Sequence, residues 1–130
     1  MMAEQGAPRI PHLPTPAPID AYGNGGFRFA GMSHRGSLLC LPDGIWGWPV
    51  VHFVDIDDAA LAQVFEQADH LDILLIGCGR DGDILPERLR LRFREYAISA
   101  DTMPTGAAVR SYNILLGERR RVGAVLVAVD

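Results

Sequence analysis

The feature that most constrains the fold is an unbroken apolar run at residues 73–76, inside a predicted strand over residues 71–77. A strand without a polar side is typical of parallel sheets, because helices cover both faces of such sheets. Parallel neighbours are joined by crossover connections, which are right-handed and commonly contain a helix. The run therefore predicts an α/β fold in which helical segments flank this strand.

Helical and strand patterns do alternate over the second half of the chain. Asp57 suits the N-cap of a first helix, because apolar residues at positions 60, 61, 64, 65 and 68 would share one helical face. Beyond the apolar run, the patterns predict a helix at 86–95, a strand at 97–103, a helix at 105–116 and a strand at 121–129. This order supplies the crossovers that a parallel sheet requires.

The segment at 86–95 fits two structures. Residues 89–94 alternate strictly between apolar side chains and arginine, as a half-buried strand would. We favour the helix, because Leu89 and Phe93 lie four residues apart and Pro86 suits the first turn of a helix.

The first half of the chain reads as an arm followed by short strands. Five of the nine prolines lie within residues 1–18, which predicts an extended or disordered arm, because proline lacks an N–H and restrains its predecessor. Alternating runs between turn residues predict antiparallel strands at 27–29, 37–41 and 45–48. We expect a single α/β domain over residues 19–130, with three layers around a central mixed sheet and N-terminal antiparallel strands followed by βαβ-type crossovers.

Composition excludes several kinds of chemistry. All twelve basic residues are arginine, so Schiff-base lysine enzymes and lysine-containing phosphate loops are ruled out. Sixteen acidic residues give a net charge of −4, which argues against a nucleic-acid-binding protein. Arginine in place of lysine throughout is typical of a GC-rich bacterial genome.

The cysteine and apolar content indicates the compartment. Cys40 and Cys78 are too few for a disulfide framework or a zinc cluster, so we expect two buried, reduced thiols in the cytoplasm. No apolar run approaches the ~20 residues of a membrane span, which leaves open only a peripheral association with an anionic membrane surface. The histidines lack metal-ligand spacing and no serine has a nucleophile-elbow context, so we predict neither a metal site nor a catalytic residue.

A glycine-rich sequence, Gly-Cys-Gly-Arg-Asp-Gly at residues 77–82, follows the central strand and matches the dinucleotide pattern G-x-G-x-x-G. Asp101 stands near the end of the next strand, where a ribose-binding acid would lie. However, the next helix starts near residue 86, too late for its amides to reach a pyrophosphate. Asp81 and Asp83 also place negative charge where the phosphates would be. We therefore predict a strand-to-helix connection and no nucleotide cofactor.

The helix at 105–116 supplies further candidate binding residues. Arg110 and Asn113 lie opposite the apolar stripe that includes Tyr112. They would either satisfy neighbouring loops or line a small cleft beside the glycine loop. That cleft would consist of Gly77, Cys78, Gly79, Arg80, Arg110 and Asn113.

Four arginines at positions 88, 90, 92 and 94 form a basic patch, partly offset by Glu87 and Glu95. On a helix they would spread over the solvent side, so the simplest interpretation is a solvated face. The functional interpretation is a face for an acidic partner or an anionic membrane surface, with Arg88, Arg92 and Arg94 in contact.

Two stretches of the sequence resemble a known family. They are residues 27–37, with Phe-Arg-Phe and Gly-Met-Ser-His-Arg-Gly-Ser, and residues 103–116, ending in Arg-Ser-Tyr-Asn-Ile-Leu-Leu. Together with Trp48 and the strand that leads into Gly79, they resemble a widespread family of small domains of undefined biochemical activity. Its mitochondrial members are assembly factors for respiratory complex I, and one vertebrate member is linked to adipogenesis. The resemblance implies a three-layer α/β domain with no established catalytic residue or cofactor.

Two functions are compatible with these patterns. The first is a non-enzymatic, assembly-factor-like interaction domain that binds a protein partner. The alternative is a small-molecule or anion-binding module, with an enzymatic activity left open, that uses the loop at 77–82 and the helix at 105–116. A deep pocket that joins this loop to Arg110, Tyr112 and Asn113 would favour the alternative.

Overall fold

The computed structural model describes residues 10–130, which contain nine strands and three α-helices. The strands are β1 (Ile10–Leu13), β2 (Ala21–Gly23), β3 (Gly26–Phe29), β4 (Met32–Arg35), β5 (Ser37–Leu41), β6 (Gly44–Trp48), β7 (Ile73–Gly77), β8 (Ser99–Met103) and β9 (Val122–Leu126). The helices are α1 (Ala62–Glu66), α2 (Glu87–Glu95) and α3 (Thr105–Gly117), with 3₁₀ turns at Phe53–Asp55 and Ala68–His70.

Six strands form a central mixed sheet in the order β1-β6-β5-β9-β7-β8. The pairs β1 with β6, β6 with β5 and β5 with β9 are antiparallel, whereas β7 runs parallel to both β9 and β8. Helix α2 connects β7 to β8, and α3 carries the chain back past β7 to β9. The prediction of antiparallel strands followed by βαβ-type crossovers is confirmed.

Different elements cover the two faces of the central sheet, which confirms the three-layer prediction. One face packs Leu74 and Ile76 of β7 against α1 and α2, including Leu89 and Phe93. The opposite face packs Leu75 against α3 and against a separate antiparallel sheet of β2, β3 and β4. Successive strand residues point to opposite faces, so β7 needs apolar side chains at consecutive positions.

The start of the described chain is more regular than its proline content predicts. Ile10–Leu13 form β1, which pairs with β6 and places Ile10 opposite Gly47. Proline is tolerated here because β1 is the outermost strand of the sheet. Of the two predicted states of the arm, β1 adopts the extended one, while residues 1–9 lie outside the described residues.

The first half also contains more strands than its patterns predict. The predicted strands at 27–29, 37–41 and 45–48 correspond to β3, β5 and β6, but the patterns do not predict β2 or β4. Strand β4 has only partly buried or exposed residues. Its pairing with β3, which sets Met32 opposite Phe29, makes it a strand.

The helices correct two further details. Residues 89–94 are helical, so the strand alternative is wrong; α2 buries Leu89 and Phe93 on one side while its arginines face outward. Asp57 caps the turns that precede α1, because its Oδ1 atom accepts the N–H of Ala60 at 2.8 Å. The α-helix itself begins later and is only five residues long, since turns occupy the intervening positions.

Candidate functional site

The glycine loop after β7 is shaped by a close contact with the start of α3. A Cβ atom at position 77 would lie 3.0 Å from both the Cα and the Oγ1 atoms of Thr105. Gly79 has φ of 112°, a left-handed conformation that favours glycine. Both glycines are therefore explained by local geometry without any bound phosphate.

Thr105 joins three elements through its fully buried hydroxyl. The oxygen accepts the N–H of Gly79 at 2.9 Å, and the hydroxyl donates to the carbonyl of Val127 at 2.7 Å. The backbone N–H of Thr105 returns a bond to the Gly79 carbonyl at 2.8 Å. Sequence patterns do not single out Thr105. The only signal is a hydroxyl residue directly after Pro104 at a helix start.

The loop does not form a dinucleotide cradle. The N–H of Cys78 donates to the carbonyl of Met103 at 2.8 Å, and Thr105 accepts the N–H of Gly79, so neither amide is free for a phosphate. Helix α2 begins at Glu87, well beyond the loop, so its N-terminus is not presented by these glycines.

An open crevice of about 600 Å³ lies at the carboxyl ends of β7 and β9. The loop after β7 and the chain after β9 form two sides, and the β4–β5 turn and the segment after β6 complete the rim. We call it the edge crevice. Its lining residues are Gly25, Arg35, Gly36, Ser37, Val50, Val51, His52, Phe53, Cys78, Gly79, Arg80, Val127, Ala128, Val129 and Asp130.

A second hollow of about 310 Å³ adjoins the edge crevice and contains Arg110. Gly79, Arg80, Val129 and Asp130 line both hollows. The fold thus brings the glycine loop and Arg110 to a common rim. The space beside them is two open hollows rather than one deep pocket.

Two of the candidate residues on α3 serve the fold instead. Asn113 accepts the N–H of Ile19 through Oδ1 and donates to the carbonyl of Ile19 through Nδ2, both at 2.8 Å. This clamp holds the segment before β2 against α3, so Asn113 satisfies a neighbouring loop and does not line the hollows. Tyr112 is 1% exposed on the predicted apolar stripe, and burial raises the pKa of its hydroxyl.

The two cysteines are free, buried thiols, as predicted. Burial raises the pKa of Cys40 well above its ordinary value. Cys78 lines the edge crevice. Its pKa is raised mainly by burial. Its Sγ–H group donates to the carbonyl of Ile76, with 3.5 Å between sulfur and oxygen. Because the thiolate is the reactive form, a raised pKa makes Cys78 a poor nucleophile.

The predicted arginine face on α2 is divided. Arg92 donates from Nη1 to Glu95 at 2.7 Å and pairs with Asp58 at 3.7 Å. Its guanidinium carbon also lies over the rings of Phe65 and Tyr96, at 5.2 and 5.3 Å from the ring centres. The bond to Glu95 is the main cause that raises the pKa of Arg92. Arg92 therefore stabilises the packing of α2 and is not a free contact residue.

Arg88 and Arg94 remain exposed on α2. Each lies three residues from Leu91, which is 45% exposed, so both flank this apolar side chain on the helix surface. Within residues 10–130, neither arginine side chain has a hydrogen bond or an ion pair. We call Arg88, Leu91 and Arg94 the α2 ridge.

Two histidines connect β1 with the small sheet. The Nε2 atom of His34 lies 3.1 Å from the carbonyl of Ser37, which can only accept, so Nε2 carries the proton. The Nδ1 atom of His34 then accepts the N–H of His12 at 2.8 Å. Burial lowers the pKa of His34, and the neighbouring His12 lowers it further. A neutral His34 with its proton on Nε2 satisfies both contacts when His12 is the donor.

Comparison with known proteins identifies the family. The profile of a family described as "Protein of unknown function (DUF498/DUF598)" matches residues 19–127. The chain belongs to this family. The resemblance on residues 27–37 and 103–116 is thereby confirmed.

Within residues 10–130, no three His, Cys, Asp or Glu side chains are placed to hold a metal ion. None of the helices in the same residues has the length and apolar character of a membrane-spanning helix.

Individual relatives show how widely the family extends. An uncharacterized protein of Rhodobacter capsulatus is 40% identical over 121 residues, which are 93% of this chain and 92% of the relative. NADH dehydrogenase (ubiquinone) 1 alpha subcomplex assembly factor 3 of Xenopus tropicalis is 26% identical over 109 residues, 84% of this chain; the match spans only 60% of that protein. A crystal structure described as an outer membrane protein from Bartonella henselae is 53% identical, covers 92% of this chain and 100% of that chain, and has a TM-score of 0.88.

Proposed function

We propose that this chain is a non-enzymatic, protein-binding domain of the assembly-factor type, which acts in the bacterial cytoplasm. The support from relatives is that proteins named assembly factors match 84% of this chain, so the shared region is nearly the whole fold. The chain spans about three fifths of those proteins, so their partners are not transferred with the fold.

The α2 ridge is the observation that carries the proposal. The ridge combines a partly exposed leucine with two guanidinium groups that have no partner within residues 10–130. Interface centres bury apolar side chains, and arginine is enriched among the residues that dominate binding energy. We expect the partner to present an acidic surface with an apolar pocket for Leu91.

The test compares three versions of the tagged full chain in its native host. The ridge variant carries Arg88→Glu, Leu91→Glu and Arg94→Glu. The control variant carries Arg28→Glu, Ile114→Glu and Arg120→Glu, which make the same charge change at exposed positions elsewhere. Proteins recovered after cross-linking are then purified and titrated against each version, and the melting temperatures of all three are compared.

We expect at least one recovered protein to bind the wild-type and control chains equally. It should bind the ridge variant at least about tenfold more weakly, because an arginine hot spot contributes on the order of 2 kcal/mol. Equal binding by the ridge variant, or no protein enriched above a tag-only control, would overturn the proposal. Cell fractionation tests the compartment separately: we expect the chain in the cytoplasmic fraction, and recovery with membranes would refute that part.

A further inference from the structure

The edge crevice lies where open α/β sheets commonly bind ligands. The chain leaves β7 toward α2, which covers one face of the central sheet. The chain leaving β9 turns toward the other face, where the carbonyl of Val129 accepts the N–H of Gly25 in the small sheet. Neighbouring parallel strands whose chains leave to opposite faces open a crevice at their carboxyl ends, and ligands bind in such crevices.

The rim of the crevice carries uncompensated positive charge. Arg35 and Arg80 line the crevice, and Arg110 lines the adjoining hollow beside Arg80. Within residues 10–130, none of these three side chains has a hydrogen bond or an ion pair. Among the described residues, Asp130 is the only acidic residue that lines either hollow. Three guanidinium groups without a partner in this part of the chain are unexpected in a protein whose net charge is −4.

Arg35 extends over Gly25 at the crevice, and the glycines there leave the space open. The Nη1 atom of Arg35 lies 3.6 Å from the position that a Cβ would take on Gly25, so the guanidinium extends across this glycine. Gly79 has no heavy atom within 4 Å of the corresponding position, so its side of the crevice is unobstructed. Val51 and Phe53 supply apolar side chains to the lining of the same crevice.

We propose that the edge crevice binds a small organic anion whose carboxylate or phosphate group pairs with Arg80 and Arg35 while its apolar part contacts Val51 and Phe53. The volume of about 600 Å³ lies within the range of small-molecule sites. The forked donors of arginine suit both oxyanions, because carboxylate and phosphate each accept two parallel N–H bonds. This inference goes beyond the proposed function and does not depend on the α2 ridge.

The test titrates the purified, isotope-labelled chain with octanoate and with octyl phosphate while backbone amide resonances are recorded. These two probes distinguish a carboxylate from a phosphate ligand. Octanol controls for the apolar part alone, and inorganic phosphate controls for the charge alone. Arg80→Gln and Arg35→Gln test the pairing, and Arg120→Gln, an exposed arginine after α3, is the matched control variant.

We expect saturable shifts for at least one octyl anion at the four segments that line the crevice, residues 35–37, 50–53, 78–80 and 127–129. Arg80→Gln or Arg35→Gln should weaken that binding by about 30-fold, because a hydrogen bond to a charged group contributes on the order of 2 kcal/mol. Arg120→Gln should change nothing. The proposal would be overturned if no amide resonance shifted saturably, or if the shifts fell outside these four segments. It would also be overturned if both crevice variants bound the octyl anion as tightly as the wild type. Octanol or inorganic phosphate binding as tightly as the octyl anions would also refute it. Because the titration contains only the purified chain, any of these failures would leave the proposal of a protein partner at the α2 ridge unaffected.

Discussion

Replacing Thr105 by valine tests whether its hydroxyl holds the glycine loop, α3 and β9 together. Valine keeps the branched shape but cannot accept the N–H of Gly79 or donate to the carbonyl of Val127. Both backbone groups would then be left without these partners in a site where Thr105 is 0% exposed. The backbone N–H of Thr105 keeps its bond to the carbonyl of Gly79.

The expected cost follows from those two unpaired groups. A buried donor or acceptor that loses its partner costs about 1–3 kcal/mol. The neighbouring edge crevice admits water that can recover part of this, so Thr105→Val should lower the free energy of unfolding by about 2–4 kcal/mol. That is a large fraction of the ~5–15 kcal/mol by which a domain of this size is stable.

Urea unfolding of the wild type, Thr105→Val and Thr105→Ser measures this cost. Serine keeps the hydroxyl and loses one methyl group, so it should cost only about 1 kcal/mol. The midpoint should fall without a change in the slope, because the folded surface is the same. The reasoning would be refuted if valine stayed within about 0.5 kcal/mol of the wild type. It would also fail if serine were more damaging than valine.

Three other side chains have expected outcomes of different kinds. Asn113→Ala should lower the free energy of unfolding by about 1–3 kcal/mol, because both backbone groups of Ile19 lose their partner; unchanged urea unfolding would contradict the clamp. Tyr112→Ala should cost about 3–5 kcal/mol by leaving a cavity, and Tyr112→Phe much less; equal losses would place the energy in the hydroxyl instead. The pKa of His34 is lower when folded, so the unfolded chain takes up its proton first, and stability should fall as the pH drops below about 6.5. Urea midpoints against pH should show this fall reduced in His12→Ala, and an identical pH dependence would argue against the pair.

The elements predicted correctly are those whose buried side is evident from the spacing of apolar residues in the sequence. The apolar run of β7 and the stripe around Tyr112 on α3 need only periodicity to be recognised. Strand β1 forms despite its proline content because its edge position, set by pairing with β6, removes the usual penalty. Strand β4 has no apolar alternation, so only its partner β3 decides its conformation.

The candidate site was predictable only in part, for a similar reason. The glycine pattern at 77–82 marks an unusual loop, but the cause is Thr105, which lies 26 residues from the Gly79 amide that it binds. Arg35 reaches the edge crevice from the end of the small sheet, and no spacing in the sequence indicates that approach. Arg92 reads as a surface charge until Asp58 and Glu95 are placed beside it.

The pairing of β1 with β6 also determines how this protein can be shortened. The family match covers residues 19–127, which omits all of β1 and the Val129 carbonyl that holds Gly25. A fragment cut at those limits would bare the backbone amides and carbonyls along one side of β6. Exposed strand edges of this kind template pairing with another molecule. Such a fragment should therefore self-associate as its concentration rises, so the length used for expression decides whether a monomer or an edge-to-edge aggregate is studied.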